Sequence, residues 1–157
     1  MSERVPTQVP ESAAGDIPAV GVDLVYLPSF REQWNTPGTT MATFFTTYEK
    51  RQARKRAAIS GDVIQHLAAR WAAKEAFIKA WGAIISPAPP LIAPELVVWS
   101  DIEVRCDNFG RPTLHLHGNI ERLAGTGMTS SVSLSHDGDY AIAMVSLAQP
   151  DPPHHGV

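Results

Sequence analysis

The stretch from Asp62 to Gly82 constrains this chain more than any other. Asp62 is a good helix N-cap, Gly82 is a common helix stop, and no proline interrupts the residues between them. This predicts one long helix over 63–81. At ~100° per residue, Leu67, Trp71, Lys74, Ile78 and Trp81 fall on one stripe, predicted to face the core with Lys74 as its single charge. Ala68, Ala72, Glu75 and Lys79 run beside it, and the small residues there let another backbone or a ligand come close.

Shorter elements flank this helix. Ala19 to Leu27 is a valine-rich apolar run and reads as a buried strand interrupted by one acid, Asp23. Pro28 suits the first turn of a helix reaching about Trp34. Thr46, followed three residues later by Glu49, has the form of a capping box and predicts a helix to about Ala58. Prolines at 87, 89, 90 and 94 make 86–94 a loop. Asp101 to Cys106 alternates, with Ile102, Val104 and Cys106 on one face; 107–110 turns the chain and Thr113 to His117 alternates back. Asn119 is placed as the cap of a short helix to Ala124. Ser131 to Ser135 alternates again, and Asp137-Gly138-Asp139 leads into a last strand, Tyr140 to Leu147. The order predicts a single α+β domain over 18–148, an antiparallel sheet packed on a long central helix. Residues 1–17 and 149–157, rich in proline and without periodicity, are expected to be disordered.

Composition narrows the function classes. A length of 157 residues suits one domain, and 44% apolar with 18% charged residues is an ordinary globular balance. A net charge of −3 argues against nucleic acid as a partner. Cys106 is the single cysteine, which excludes an intrachain disulfide and a cysteine-based zinc site and suits a reducing compartment. The N-terminus lacks the apolar core of a signal peptide, and no stretch approaches the ~20 apolar residues of a membrane span. The expectation is a cytoplasmic protein with no membrane partner.

Few residues offer chemistry. An acid inside an apolar strand is costly unless paired, hydrogen-bonded or bound to a cation, so Asp23 is either a helix-capping aspartate or a ligand. Glu75 and Lys79 stand in the favourable order for a surface ion pair, yet they emerge between alanines, with Arg70 and Lys74 on the same helix. Two acids with lysine and arginine nearby suit a magnesium-bound diphosphate, because that ion takes few carboxylates and fills its other positions with water and phosphate oxygens. Ser135-His136, at a strand end, is either a turn pair facing water or a hydroxyl and imidazole at a phosphate. His115 and His117 share a strand face but lack an evident third zinc ligand, and are read as solvent-facing.

Taken together, Gly21-Val22-Asp23-Leu24, Phe45-Thr46 with Glu49, and the run from Leu67 to Gly82 around Trp71-Ala72-Ala73-Lys74-Glu75-Ala76 resemble the signature segments of holo-acyl-carrier-protein synthases, the small single-domain branch of the 4′-phosphopantetheinyl transferases. Asn108 to Pro112 and Val132 to His136 match two further segments in the same order. The resemblance implies that Asp23 and Glu75 hold magnesium and that Lys79 lies beside the diphosphate of coenzyme A. It further implies that Arg70 and His136 bind coenzyme A phosphates with Ser135 in support, and that Gly82 and the Gly110-Arg111-Pro112 turn line the same ligand. It implies a homotrimer with each site at a subunit junction, acting on apo-acyl-carrier protein in fatty acid biosynthesis. Ile84 stands where the family often has a second glycine, and the helix after Asp23 keeps only Arg31 of the basic residues used to dock the carrier.

The basic run Lys50, Arg51, Arg54, Lys55, Arg56 is an alternative docking patch for an acidic carrier, or else a solvated helix face. The expected reaction is transfer of phosphopantetheine from coenzyme A to a carrier serine, with adenosine 3′,5′-bisphosphate leaving. Glu75, a metal-bound hydroxide or neutral Lys79 are all candidates for the base. The rival readings are a non-catalytic module that binds an acidic partner through 50–56, and a phosphohydrolase that spends coenzyme A on water.

Overall fold

A computed structural model describes residues 18–149; the expectations for 1–17 and 150–157 lie outside the described residues. The elements run β1 (Ala19–Tyr26), α1 (Leu27–Asn35), α2 (Thr47–Ser60), α3 (Val63–Ile85), β2 (Ile102–Cys106), β3 (Pro112–Leu116), α4 (Gly118–Ala124), β4 (Thr129–Asp137) and β5 (Tyr140–Ala148). β1, β5 and β4 form an antiparallel sheet with β5 central, and β2 and β3 form a separate hairpin beside it. The fold is α+β, as the pattern predicts.

Alternation decides which face of the larger sheet is buried. Gly21, Asp23 and Val25 of β1 register with Val145, Ala143 and Ala141 of β5, and this row packs against α3. Gly21 is what permits the contact. A Cβ there would stand 1.9 Å from the Ala76 carbonyl oxygen, so helix and strand meet backbone to backbone. The opposite row, Val20, Val22, Leu24 and Tyr26 with Tyr140, Ile142 and Met144, is exposed.

α3 is buried around most of its circumference, because sheet, α1, α2 and β2 all pack on it. The predicted single stripe is therefore too narrow. Trp71 and Ile78 are only half-buried, whereas Ala69, Ala73, Ala76, Phe77 and Ala80 are buried. Two charges are buried with them, Arg70 at 2% exposure and Lys74 at 0%. Lys74 donates to Glu49 Oε2 at 2.9 Å, to the Trp99 carbonyl at 3.1 Å and to the Ile102 carbonyl. Glu49 also closes the capping box with Thr46 and accepts the Val104 amide at 2.9 Å. One carboxylate thus caps α2, neutralises α3 and anchors β2.

Several predicted boundaries move, β4 for example running Thr129–Asp137 and taking Asp137 from the turn, and two shifts have a clear local cause. α3 does not stop at Gly82 but runs to Ile85, and Ser86 caps it. Gly82 keeps a helical backbone, so nothing local ends the helix until Pro87 disfavours helical geometry in the residue before it. The cap of α4 is His117 rather than Asn119, whose side chain instead accepts from Arg122 at 2.5 Å within the helix.

Candidate active site

β1 and α3 bring the two acids of the sequence motif together. Asp23 points inward from mid-strand, opposite Ala143, and does not cap a helix. Glu75 stands on the α3 face turned to β1, close enough to Asp23 for the two carboxyl groups to share a hydrogen bond. Partial burial, then the neighbouring Asp23 charge, push Glu75 up to about 7, against the pull of Lys79. Lys79, one turn on, donates to Asp23 Oδ1 at 2.7 Å and to the Val22 carbonyl at 3.0 Å. A pocket of about 200 Å³ opens in front of the acids, walled by Tyr26, Phe30 and Trp71 with Ser29 and Gln33 as polar lining. Trp71 stacks on Phe44 at 5.1 Å and meets Trp99 edge-on at 4.7 Å.

This donor set suits a hard divalent cation. Two facing carboxylates repel, and a cation between them relieves the repulsion. No cluster of three or more His, Cys, Asp or Glu side chains occurs among the described residues. A pair is what magnesium uses, with phosphate oxygens and water completing its shell.

Arg70 and His136 do not join this pocket. Arg70 precedes Glu75 by five residues and His66 by nine, which places both about 140–180° around α3 from Glu75. They line a second cavity, of about 160 Å³, with Arg56, Cys106, Gly110, Ser135 and His136, and the two cavities share no lining residue. Arg70 donates to the His66 carbonyl at 3.0 Å and leaves Nε without a partner. The rings of His66 and His136 meet edge-on at 6.5 Å. Burial, then Arg70, Arg56 and His136, hold His66 below the usual imidazole range. Arg56 reaches the cavity by lying over Gly110, where a Cβ would stand 2.8 Å from Nη2.

Several sequence expectations are redistributed. Arg56 leaves the 50–56 patch for this second cavity and Lys50 bonds the Ala42 carbonyl, so Arg51, Arg54 and Lys55 make up the exposed cationic face. Arg31 is tied to Asp62 at 2.8 Å. Gly82, in the last turn of α3, and Pro112, opposite Cys106 at the start of β3, line neither cavity. His115 bonds Thr113, and His117, with its side chain 43% exposed, has Nε2 3.8 Å from Glu103, so the pair lies at the surface of its hairpin. Sequence reading missed His66, although its place four residues before Arg70 puts it on the same flank of a helix.

Comparison with known proteins gives the family. The model of the 4′-phosphopantetheinyl transferase superfamily matches residues 19–145. A holo-[acyl-carrier-protein] synthase from Corynebacterium glutamicum is 45% identical over 132 residues, 82% of this chain and 96% of that protein. One from Mycobacterium tuberculosis is 45% identical over 135 residues, 85% of this chain and 98% of that protein. A solved structure described as a Chronobacterium ammoniagenes ACPS–CoA complex is similar with a TM-score of 0.78 at 43% identity, covering 86% of this chain and 99% of that one. With matches of this extent, the chain belongs to the 4′-phosphopantetheinyl transferase superfamily.

Proposed function

We propose that this protein is a holo-[acyl-carrier-protein] synthase, which transfers 4′-phosphopantetheine from coenzyme A to a serine of apo-acyl-carrier protein. The observation that carries the reading is the meeting of Asp23 and Glu75 under Lys79, from elements far apart in the chain. Asp23 and Glu75 would hold magnesium, which supplies charge neutralisation on the diphosphate of coenzyme A. Lys79 adds a cation at the same place, held by Asp23 and the Val22 carbonyl. The carrier serine oxygen attacks the β-phosphorus, and the bond to the bridging oxygen breaks. Adenosine 3′,5′-bisphosphate departs with the electron pair. Glu75, a metal-bound hydroxide and neutral Lys79 all stand as bases for the serine proton, because a Glu75 carboxylate engaged by magnesium would lose the raised proton affinity it has without the ion.

Coenzyme A carries a second anionic centre, its ribose phosphate. Arg70 and His136, with Ser135 in support, form the other cationic cavity and would take it. A single α3 keeps that cavity and the acids on different sides, so one chain does not complete a site. The exposed apolar row of β1 and β5 is the surface by which copies would meet, and a homotrimer joins the acids of one copy to the cations of the next. The carrier would dock on the outward cations of α2, Arg51, Arg54 and Lys55. No helix among the described residues is long and apolar enough to cross a membrane.

Mass spectrometry of an apo-carrier protein incubated with this protein, coenzyme A and magnesium tests the reading. A phosphopantetheine mass gain that disappears with a chelator is expected. Free phosphopantetheine without carrier modification would mark a hydrolase, and no reaction at all would mark a binding module.

A further inference from the structure

Cys106 ends β2 with its thiol in the cationic cavity, unbridged. Arg70, 2% exposed, directs Nη2 toward the sulfur at 3.9 Å, and its Nε has no hydrogen-bond partner. Arg56, His66 and His136 line the same cavity, and no carboxylate does. The sulfur therefore sits at the wall of a pocket open to solvent and built for negative charge, with a buried guanidinium whose donors are incompletely used. Such a field draws anionic reagents in and turns cationic ones away.

We propose that Cys106 is a modification site for low-molecular-weight disulfides that carry carboxylates. The Cys106 thiolate attacks one sulfur of the disulfide, and a new S–S bond forms as the reagent's own S–S bond breaks. One half stays on Cys106, which is oxidised. The other half leaves reduced, as a thiolate that takes up the proton Cys106 gave to solvent. The attached half places its carboxylates before Arg70 and Arg56 and fills the cavity. Given the reading of this cavity as a phosphate site, the adduct blocks coenzyme A until a thiol reductant removes it.

The test uses the full chain with glutathione disulfide, which is anionic, and cystamine, which is cationic, each followed by intact mass. Glutathione disulfide is expected to add one half-molecule about ten-fold faster than cystamine does. Cys106→Ser should take up none, and Arg56→Gln should shrink the ratio of the two rates. The adduct should abolish coenzyme A binding measured by calorimetry, and dithiothreitol should restore it. No adduct, or rates equal for the two disulfides, would overturn the site; an adduct that leaves coenzyme A binding intact would overturn the blockade. The rate ratio is read on the protein alone, so it stands apart from whether the chain transfers phosphopantetheine.

Discussion

Two carboxylates close enough to share a proton repel each other when both are charged; at Asp23 and Glu75 burial and this repulsion make Glu75 hold its proton, and Lys79 offsets part of the effect. The cost has a sign that can be measured. Glu75 in the folded chain holds its proton up to about 7, against an ordinary 4.5, so the folded state binds more protons than the unfolded one between those values. Metal-free protein should therefore lose stability as pH rises through that window, by ~1–2 kcal/mol after allowance for solvent screening of a half-exposed group. Thermal unfolding in a chelator should show this slope in the wild type and a flat profile in Glu75→Gln. Magnesium should restore stability above pH 7 in the wild type alone. Asp23→Ala and Glu75→Ala should each abolish transfer while leaving a folded protein by circular dichroism; turnover in either would remove the metal proposal. These acids were legible in the sequence, because an acid in an apolar strand and an acid among alanines are both costly unless used. Their proximity was not, since β1 and α3 are separated by two other helices in the chain.

At the scale of elements, the seam between β1 and α3 sets the site. Gly21→Ala would drive a methyl group into the Ala76 carbonyl and lever Asp23 away from Glu75. It should cost at least ~3 kcal/mol in denaturant unfolding and lower magnesium affinity in whatever fraction folds. The other junction is the buried Glu49–Lys74 pair, both at 0% exposure. Glu49→Ala strands an ammonium in the core and should cost ~3–5 kcal/mol, whereas the double change Glu49→Leu with Lys74→Met should be milder. The capping box announced Glu49 locally; its burial against Lys74 and β2 depends on how α2 is laid across α3, which no local motif encodes. The cationic face of α2 is split for a similar reason. Helical phase turns Arg56 inward while Arg51, Arg54 and Lys55 stay outside. Reversing charge at Arg54 and Lys55 should slow carrier association several-fold at low salt and little at high salt. An equal rate at low salt would return that face to plain solvation.

For the whole molecule, the separation of acids and cations across α3 has a consequence for assembly. If each site joins the acids of one copy to the cations of the next, two inactive variants should rescue each other. Asp23→Ala and Arg70→Ala chains, each inactive alone, should regain about one quarter of wild-type transfer when refolded together in equal amounts, because one junction in four then pairs two intact halves. No recovery, with mixed oligomers verified by native mass spectrometry, would place the whole site within one chain. By itself the sequence determined the long helix, the α+β order, the acids and the family, because capping, periodicity and motif spacing are local and survive without a fold. Only the tertiary structure decided that α3 is buried on most of its faces, that Arg56, Cys106 and His136 join Arg70, and that Asp23 meets Glu75. Those facts follow from how far apart in the chain the packing elements lie, a distance that no short stretch of residues records.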